Sequence, residues 1–343
     1  MPSSIKDNVK TYYSDTLTSN KDLKSSACCS TDTLPKHHRN ILAQISPEII
    51  DKFYGCGAPL PPDVDSAHVL DLGCGTGRDV YLLSKLVGRN GHVIGIDMTP
   101  EQLQVAEKHK DYQAKTFEYT SSNVQFILAD IEDLSHHIPN DSIDLVISNC
   151  VINLSTNKPA VFKEIFRVLK PGGELYFSDV FSDRRIPEAL QKDPVLYGEC
   201  LSGALYIEDF RRHLLDIGCA HFHTMSSRTL EINNPDIKAK INNIKFTSST
   251  IRAFKLDLED REENYGQTLT YLGTIPENPD TFQLDHQTVF QTNQKIPISG
   301  NTATILQKSR YSKHFKIDGT QSTHHGQFTF QTPTQKSVKP SCC

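Results

Sequence analysis

Asp71-Leu72-Gly73-Cys74-Gly75-Thr76-Gly77 joins an apolar stretch, His68–Leu72, to a helical one that carries Val80, Leu83, Leu86 and Val87 and closes at Gly88. Glycines between a strand and a helix let the backbone turn sharply and let a ligand come close. A second apolar stretch, His92–Asp97, ends in a carboxylate 20 residues after Gly77. An acid at that distance accepts hydrogen bonds from both hydroxyls of a ribose. Strand, glycine loop, helix, strand and acid in this order predict a nucleotide-type ligand at one edge of an α/β sheet.

The pattern continues on both sides. Thr99, Pro100 and Gln102 predict a capped helix start. Strands are expected at 124–128, 143–148 and 174–178, with a helix over 158–169 that stops at Pro171-Gly172-Gly173. Strands separated by helices imply a parallel sheet covered on both faces. Upstream, Ile41, Leu42, Ile45, Ile49, Ile50 and Phe53 recur at helical spacing. Downstream, strands are expected at 249–256 and 268–274 and a short helix at 301–309. The reading divides the chain into an N-terminal helical segment (1–62), an α/β domain (63–226), a smaller α+β domain (227–318) and a disordered tail (319–343) that ends in Cys342-Cys343.

Length and composition narrow the function. The 343 residues suit about two domains with tails. A net charge of -5 argues against a nucleic-acid partner. No apolar run reaches the roughly 20 residues that span a bilayer, and the polar start MPSSIKDNVKTYYSD has no signal-like apolar region. A cytoplasmic setting is expected, with the nine cysteines reduced.

Two details separate the nucleotide options. Asp71 opens the loop, where it would repel a pyrophosphate and attract a positive amino-acid end. The D-x-G-x-G-x-G spacing is also shorter than G-x-G-x-x-G. Here the chain resembles class I methyltransferases that use S-adenosylmethionine. Asp130-Ile131 after the third strand then reads as the adenine-side contact, or as a turn acid.

The cysteines differ in their prospects. Cys74 and Cys219 read as small buried hydrophobes. Cys150 directly follows the fourth strand, at the carboxyl edge where open α/β sheets bind ligands. Adjacent Cys28 and Cys29 make poor zinc geometry, and the paired histidines read mostly as surface residues. The motifs DLKSSAC (to Cys28), YGCG (Cys56), DLGCGTGRD, GHVIGIDMT, SNCVINL (Cys150), GGELYFSDV and GECLSGALY (Cys200) together resemble one family, the arsenite methyltransferases, over residues 10–318.

The resemblance implies a sheet of seven strands with one antiparallel. It implies arsenic(III) ligation by Cys56, Cys150 and Cys200, with an accessory role for Cys28 or its neighbour Cys29. It implies cofactor contacts at Asp71, Gly73, Cys74, Gly75, Gly77, Asp97, Met98, Asp130, Ile131 and Asn149. The implied substrates are arsenite and methylarsenite as thiol conjugates, with a glutathione or thioredoxin reductant and a monomeric enzyme.

The chemistry agrees with that reading. Trivalent arsenic is soft and prefers thiolate sulfur. Three thiolates leave it an unshared pair that needs no deprotonation before it attacks a methyl group. Arsenite offers three exchangeable positions and methylarsenite two, so Cys150 and Cys200 are expected in every step, and Cys56 and Cys28 mainly in the first. Two rivals stand: a methyltransferase for another small molecule, and a non-catalytic arsenic-sequestering protein.

Overall fold

The computed structural model describes residues 34–53, 55 and 57–329. Cys28, Cys29, Cys56, Cys342 and Cys343 lie outside the described residues.

The central sheet holds β1 (His68–Leu72), β2 (His92–Asp97), β3 (Val124–Leu128), β4 (Ile143–Asn149), β5 (Leu169–Ser182), β6 (Leu205–Tyr206), β7 (Phe222–Thr229) and β8 (Phe246–Phe254). Its order is β3-β2-β1-β4-β5-β8-β7, with the two-residue β6 beside β5. β8 runs antiparallel to both β5 and β7, and the other pairings are parallel. The main path therefore holds the expected seven strands with one reversed, and β6 makes an eighth. Val69, Leu70 and Leu72 are fully buried, because a central parallel strand is covered on both faces and its sequence runs continuously apolar.

Strand order reverses between β1 and β4, which pair with Leu72 opposite Ser148. On the other side Leu72 pairs with Ile96. The carboxyl ends of β1, β2 and β4 thus open at one edge, the place where such sheets take ligands.

The rest departs from the sequence reading in two respects. The sheet does not end near residue 226, because β8 comes from beyond that boundary and pairs with β5 from Glu174 to Ser182. Residues 319–329 do not form the start of a free tail. Gly326 O accepts from Asn264 N, Asn264 O from His325 N, and Glu262 O from Phe328 N. Most of the paired histidines keep some exposure, as expected, and His38 and His223 are the buried ones among them. His223 is buried with Nδ1 2.9 Å from Asp285 Oδ2, and its ring lies 4.7 Å from that of His221, which meets Glu262 at 3.0 Å. Carboxylate partners make these inward positions tolerable.

A buried ionic network joins the sheet to the C-terminal region. Glu174, fully buried on β5, meets Arg252 of β8 at 2.6 Å and Arg310 at 2.5 Å. Tyr311 Oη donates to Glu174 Oε2 at 3.1 Å. Arg310 also donates to the carbonyls of Pro62 and Asp63, so one carboxylate ties together segments from both ends of the chain.

Candidate active site

The glycine loop is held from behind by β2. Gly73 N and Cys74 N both donate to Ile96 O, at 2.7 and 2.9 Å. Gly73, Gly75 and Gly77 have φ of +71°, +53° and +87°, the left-handed region where a side chain is strained. A methyl on Gly73 would also collide with Val151. Asp97 then fixes the loop from the side, since Oδ2 accepts from Gly75 N and Oδ1 from Thr99 N, each at 2.9 Å. The expected side-chain cap by Thr99 is absent; its hydroxyl bonds Asp97 instead.

This frame walls a cleft of about 120 Å³. Its lining includes the carboxylates Asp71, Asp79 and Asp97 and the apolar Met98, Ala129, Ile131 and Leu154. Asp71 is buried, and burial together with Asp79 and Asp97 holds its carboxyl well above the usual range. Burial also raises Asp97, against the hydrogen bonds it accepts. Arg78 faces inward but is taken by Asp79 at 2.6 Å and lies over the Phe53 ring. Excess buried negative charge suits a ligand that brings its own cations. S-adenosylmethionine fits these residues on chemistry, since its ammonium and sulfonium would answer buried carboxylates.

Cys150 lies in the wall of the same cleft. It follows β4 directly, and its N–H donates to Ser178 O at 2.9 Å. Cys150 is disulfide-bonded, whereas Cys200 takes part in no disulfide. Asn149, just before it, makes a two-point pairing with Gly57: Oδ1 accepts from Gly57 N at 3.1 Å and Nδ2 donates to Gly57 O at 2.9 Å. Its Nδ2 also reaches Asp79 Oδ2 at 3.2 Å. Asn149 therefore lines the cleft while its amide fastens the residue that follows Cys56 in the chain.

Cys200 is brought to Cys150 by packing between two turns. Its Sγ donates to Cys150 O at 3.4 Å. Tyr197 Oη donates to Leu154 O at 3.1 Å, and a methyl on Gly203 would strike Asn153 O. Both cysteines have φ of +59°. For residues other than glycine this conformation costs about 1–3 kcal/mol and is found where surrounding structure enforces it. Here the enforcement comes from an apolar cluster that contains both sulfurs with Leu154, Val180, Leu196 and Leu201, and from Asp179. That buried carboxylate accepts from Asn153 N, Asn153 Nδ2 and Val180 N at 3.1, 2.7 and 2.8 Å.

Of the expected cofactor contacts, Asp71, Gly73, Cys74, Gly75, Asp97, Met98, Asp130, Ile131 and Asn149 all line the cleft. Gly77 does not; it begins the helix Arg78–Val87 and packs against Phe126. Cys74 lines the cleft, but its sulfur is directed toward Gly95. Asp130 serves both readings, because it also caps Glu132 N at 3.0 Å. Among the arsenic candidates, Cys150 and Cys200 come together, while Cys56 and Cys28 lie outside the described residues. The sequence reading missed Asp79, Thr99 and Glu132 as cleft residues. Asp79 had a signal: an acid in the first turn after a glycine loop.

A methyltransferase domain model matches residues 63–218, and an arsenite methyltransferase C-terminal domain model matches 264–343. An arsenite methyltransferase from Aquipseudomonas alcaligenes is 44% identical over 98% of this chain and 99% of its own length. The human arsenite methyltransferase is 39% identical, over 91% of this chain and 84% of its own. The crystal structure of an arsenic(III) S-adenosylmethionine methyltransferase from Chlamydomonas reinhardtii superposes with a TM-score of 0.83 at 43% identity, covering 86% of this chain and all of that one. The chain belongs to the arsenite methyltransferase family.

Proposed function

We infer that this chain transfers methyl groups from S-adenosylmethionine to trivalent arsenic held on cysteine sulfur, with arsenite and then methylarsenite as substrates. One observation carries the reading. Cys150 lies in the wall of the cofactor cleft, and the Cys200 thiol rests on its carbonyl.

Bound in the cleft, the cofactor would supply an electrophilic methyl on a cationic sulfur. Asp71 and Asp79 would hold its amino-acid end and Asp97 its ribose. Cys150 and Cys200, with Cys56 as the third ligand and Cys28 as the accessory thiol, would hold arsenic so that its unshared pair faces that methyl. Alignment of this kind contributes on the order of 7–11 kcal/mol in favourable cases.

The disulfide at Cys150 gives the reductant its role. Two equivalents of glutathione, or a reduced thioredoxin, would take up the disulfide and return two cysteine thiols by exchange. Arsenic delivered as a thiol conjugate would then pass to the enzyme's cysteines, each proton leaving on the displaced thiol. Among the described residues no helix is long and apolar enough to cross a membrane. The proposed setting is a cytoplasmic monomer without a nucleic-acid or membrane partner.

Incubating the purified chain with arsenite, S-adenosylmethionine and a thiol, then speciating the arsenic, tests the reading. Mono- and dimethylated arsenicals are expected. Binding without methylation would favour a sequestering protein instead.

A further inference from the structure

Gly57-Ala58-Pro59-Leu60-Pro61-Pro62-Asp63 runs between two fixed points. At one end Gly57 pairs through both backbone atoms with the Asn149 amide. A methyl on Gly57 would strike Ser178, whose carbonyl holds Cys150 N, and one on Gly55 would strike Asn149 itself. The glycines on either side of Cys56 are thus seated on Asn149 of β4 and Ser178 of β5. At the other end the short helix Arg310–His314 of the C-terminal region holds Asp63. Arg310 donates from Nε to Asp63 O at 2.9 Å and from Nη2 to Pro62 O at 3.2 Å. Lys313 Nζ lies 3.2 Å from Asp63 Oδ1, and His314 Nε2 lies 3.1 Å from Oδ2. The Asp63 side chain is 7% exposed and its φ is +54°. In a residue other than glycine such a backbone persists where the surroundings enforce it. Here three side chains of one short helix do so.

The stretch between these points is stiff. Pro59, Pro61 and Pro62 each have φ fixed near about −65°, and proline-rich segments act as semi-rigid spacers. Leu60 and Val64 pack into the core beside the sheet. A displacement at Asp63 is therefore passed on to Gly57 rather than absorbed. We propose that Asp63 is a positioning residue: through this strut the C-terminal region sets the Gly55–Gly57 turn, and with it Cys56, against Asn149. The proposal deepens the arsenic reading above, since it rests on Cys56 as the third sulfur ligand. It gives the C-terminal region a part in the arsenite step, although the residues lining the cleft end at Ser155. Methylarsenite has one exchangeable position fewer, so its methylation does not depend on the strut.

The test uses the full chain carrying Asp63→Ala, and separately Pro59→Gly with Pro61→Gly, which softens the strut and leaves its clamp intact. Exchange of the Gly57 amide, followed by NMR in the reduced chain without arsenic, is expected to speed up about fivefold or more in both. The kcat/KM for arsenite is expected to fall about tenfold, and that for methylarsenite to stay within about twofold of the parent. In a Cys56→Ser background Asp63→Ala is expected to cost nothing further. Unchanged exchange at Gly57 overturns the proposal. Equal losses on both substrates, or a loss that adds to that of Cys56→Ser, overturn it as well, because they mean general destabilisation. Should Asp63→Ala not fold, Asp63→Asn keeps a residue that tolerates the left-handed backbone and removes only the charge; the same outcomes then decide. A parent that does not methylate arsenite, or a Cys56→Ser chain with the full arsenite rate, fails the arsenic reading instead, and Gly57 exchange still decides whether the strut transmits.

Discussion

The Cys200 thiol donates to the Cys150 carbonyl at 3.4 Å, and both residues hold φ at +59°. The two candidate sulfur ligands are therefore joined through backbone as well as through space. Cys200→Ser keeps a donor for the Cys150 carbonyl but replaces a soft ligand with a hard one. Methylation of both arsenite and methylarsenite is expected to fall at least about 100-fold, since even outer-shell changes at metal sites cost 10–100-fold. Cofactor binding is expected to persist, because Cys200 is outside the cleft wall. Kinetics on both substrates, with calorimetry for the cofactor, check this. Cys56→Ser is expected to impair the arsenite step alone; equal loss of both steps would contradict that division.

Asp97 holds the glycine loop and is assigned to the ribose. In Asp97→Ala, Gly75 N and Thr99 N lose their acceptor. Cofactor affinity is expected to fall about 10- to 100-fold by calorimetry, in line with hydrogen bonds to a charged group. Acidification is expected to weaken binding from a higher pH than an ordinary carboxylate would. Asp71 and Asp97 are both raised, so they lose charge earlier as pH falls.

Gly73 meets two constraints at once, a φ of +71° and close approach to Val151. Gly73→Ala adds strain and drives Val151 aside, and Val151 directly follows Cys150. Loss of at least about 1–2 kcal/mol in stability is expected from the backbone alone, read by denaturant melts, with reduced cofactor affinity. An unchanged melt would mean that the loop tolerates a Cβ.

Glu174 anchors the C-terminal region through Arg252 and Arg310. Glu174→Gln leaves the buried Arg252 and the partly buried Arg310 short of a counter-charge, so a loss of about 3–5 kcal/mol is expected. The pH dependence has a definite sign. Burial raises the Glu174 carboxyl, but the two arginines outweigh it and hold the group below its usual range. Its contribution is therefore complete above the ordinary glutamate range and is lost as pH falls through the lowered folded-state value. The parent is expected to lose more stability than the variant on acidification, measured by parallel melts.

Local patterns made part of this site readable. The glycine loop, Asp97 and Cys150 follow from short-range spacing and from the rule that ligands gather at the carboxyl edge, and the structure places all three there. Cys200 was reached only by resemblance, because a turn that packs 50 residues away leaves no periodic mark. The amide pairing of Asn149 with Gly57 spans 92 positions, and the Glu174–Arg252 pair spans 78. Neither is written in periodicity. The burial of His223 leaves no local mark either, because its carboxylate partner Asp285 is 62 residues away. Residues 319–329 were misjudged because backbone pairing, rather than apolar side chains, holds them in place.

X-ray absorption at the arsenic edge probes the ligands themselves. The chain would be reduced with a phosphine, freed of small thiols and loaded with one equivalent of arsenite. The parent is expected to surround arsenic with three sulfurs and Cys200→Ser with one fewer. An arsenic shell of oxygens, or one indifferent to loss of Cys200, would contradict the account.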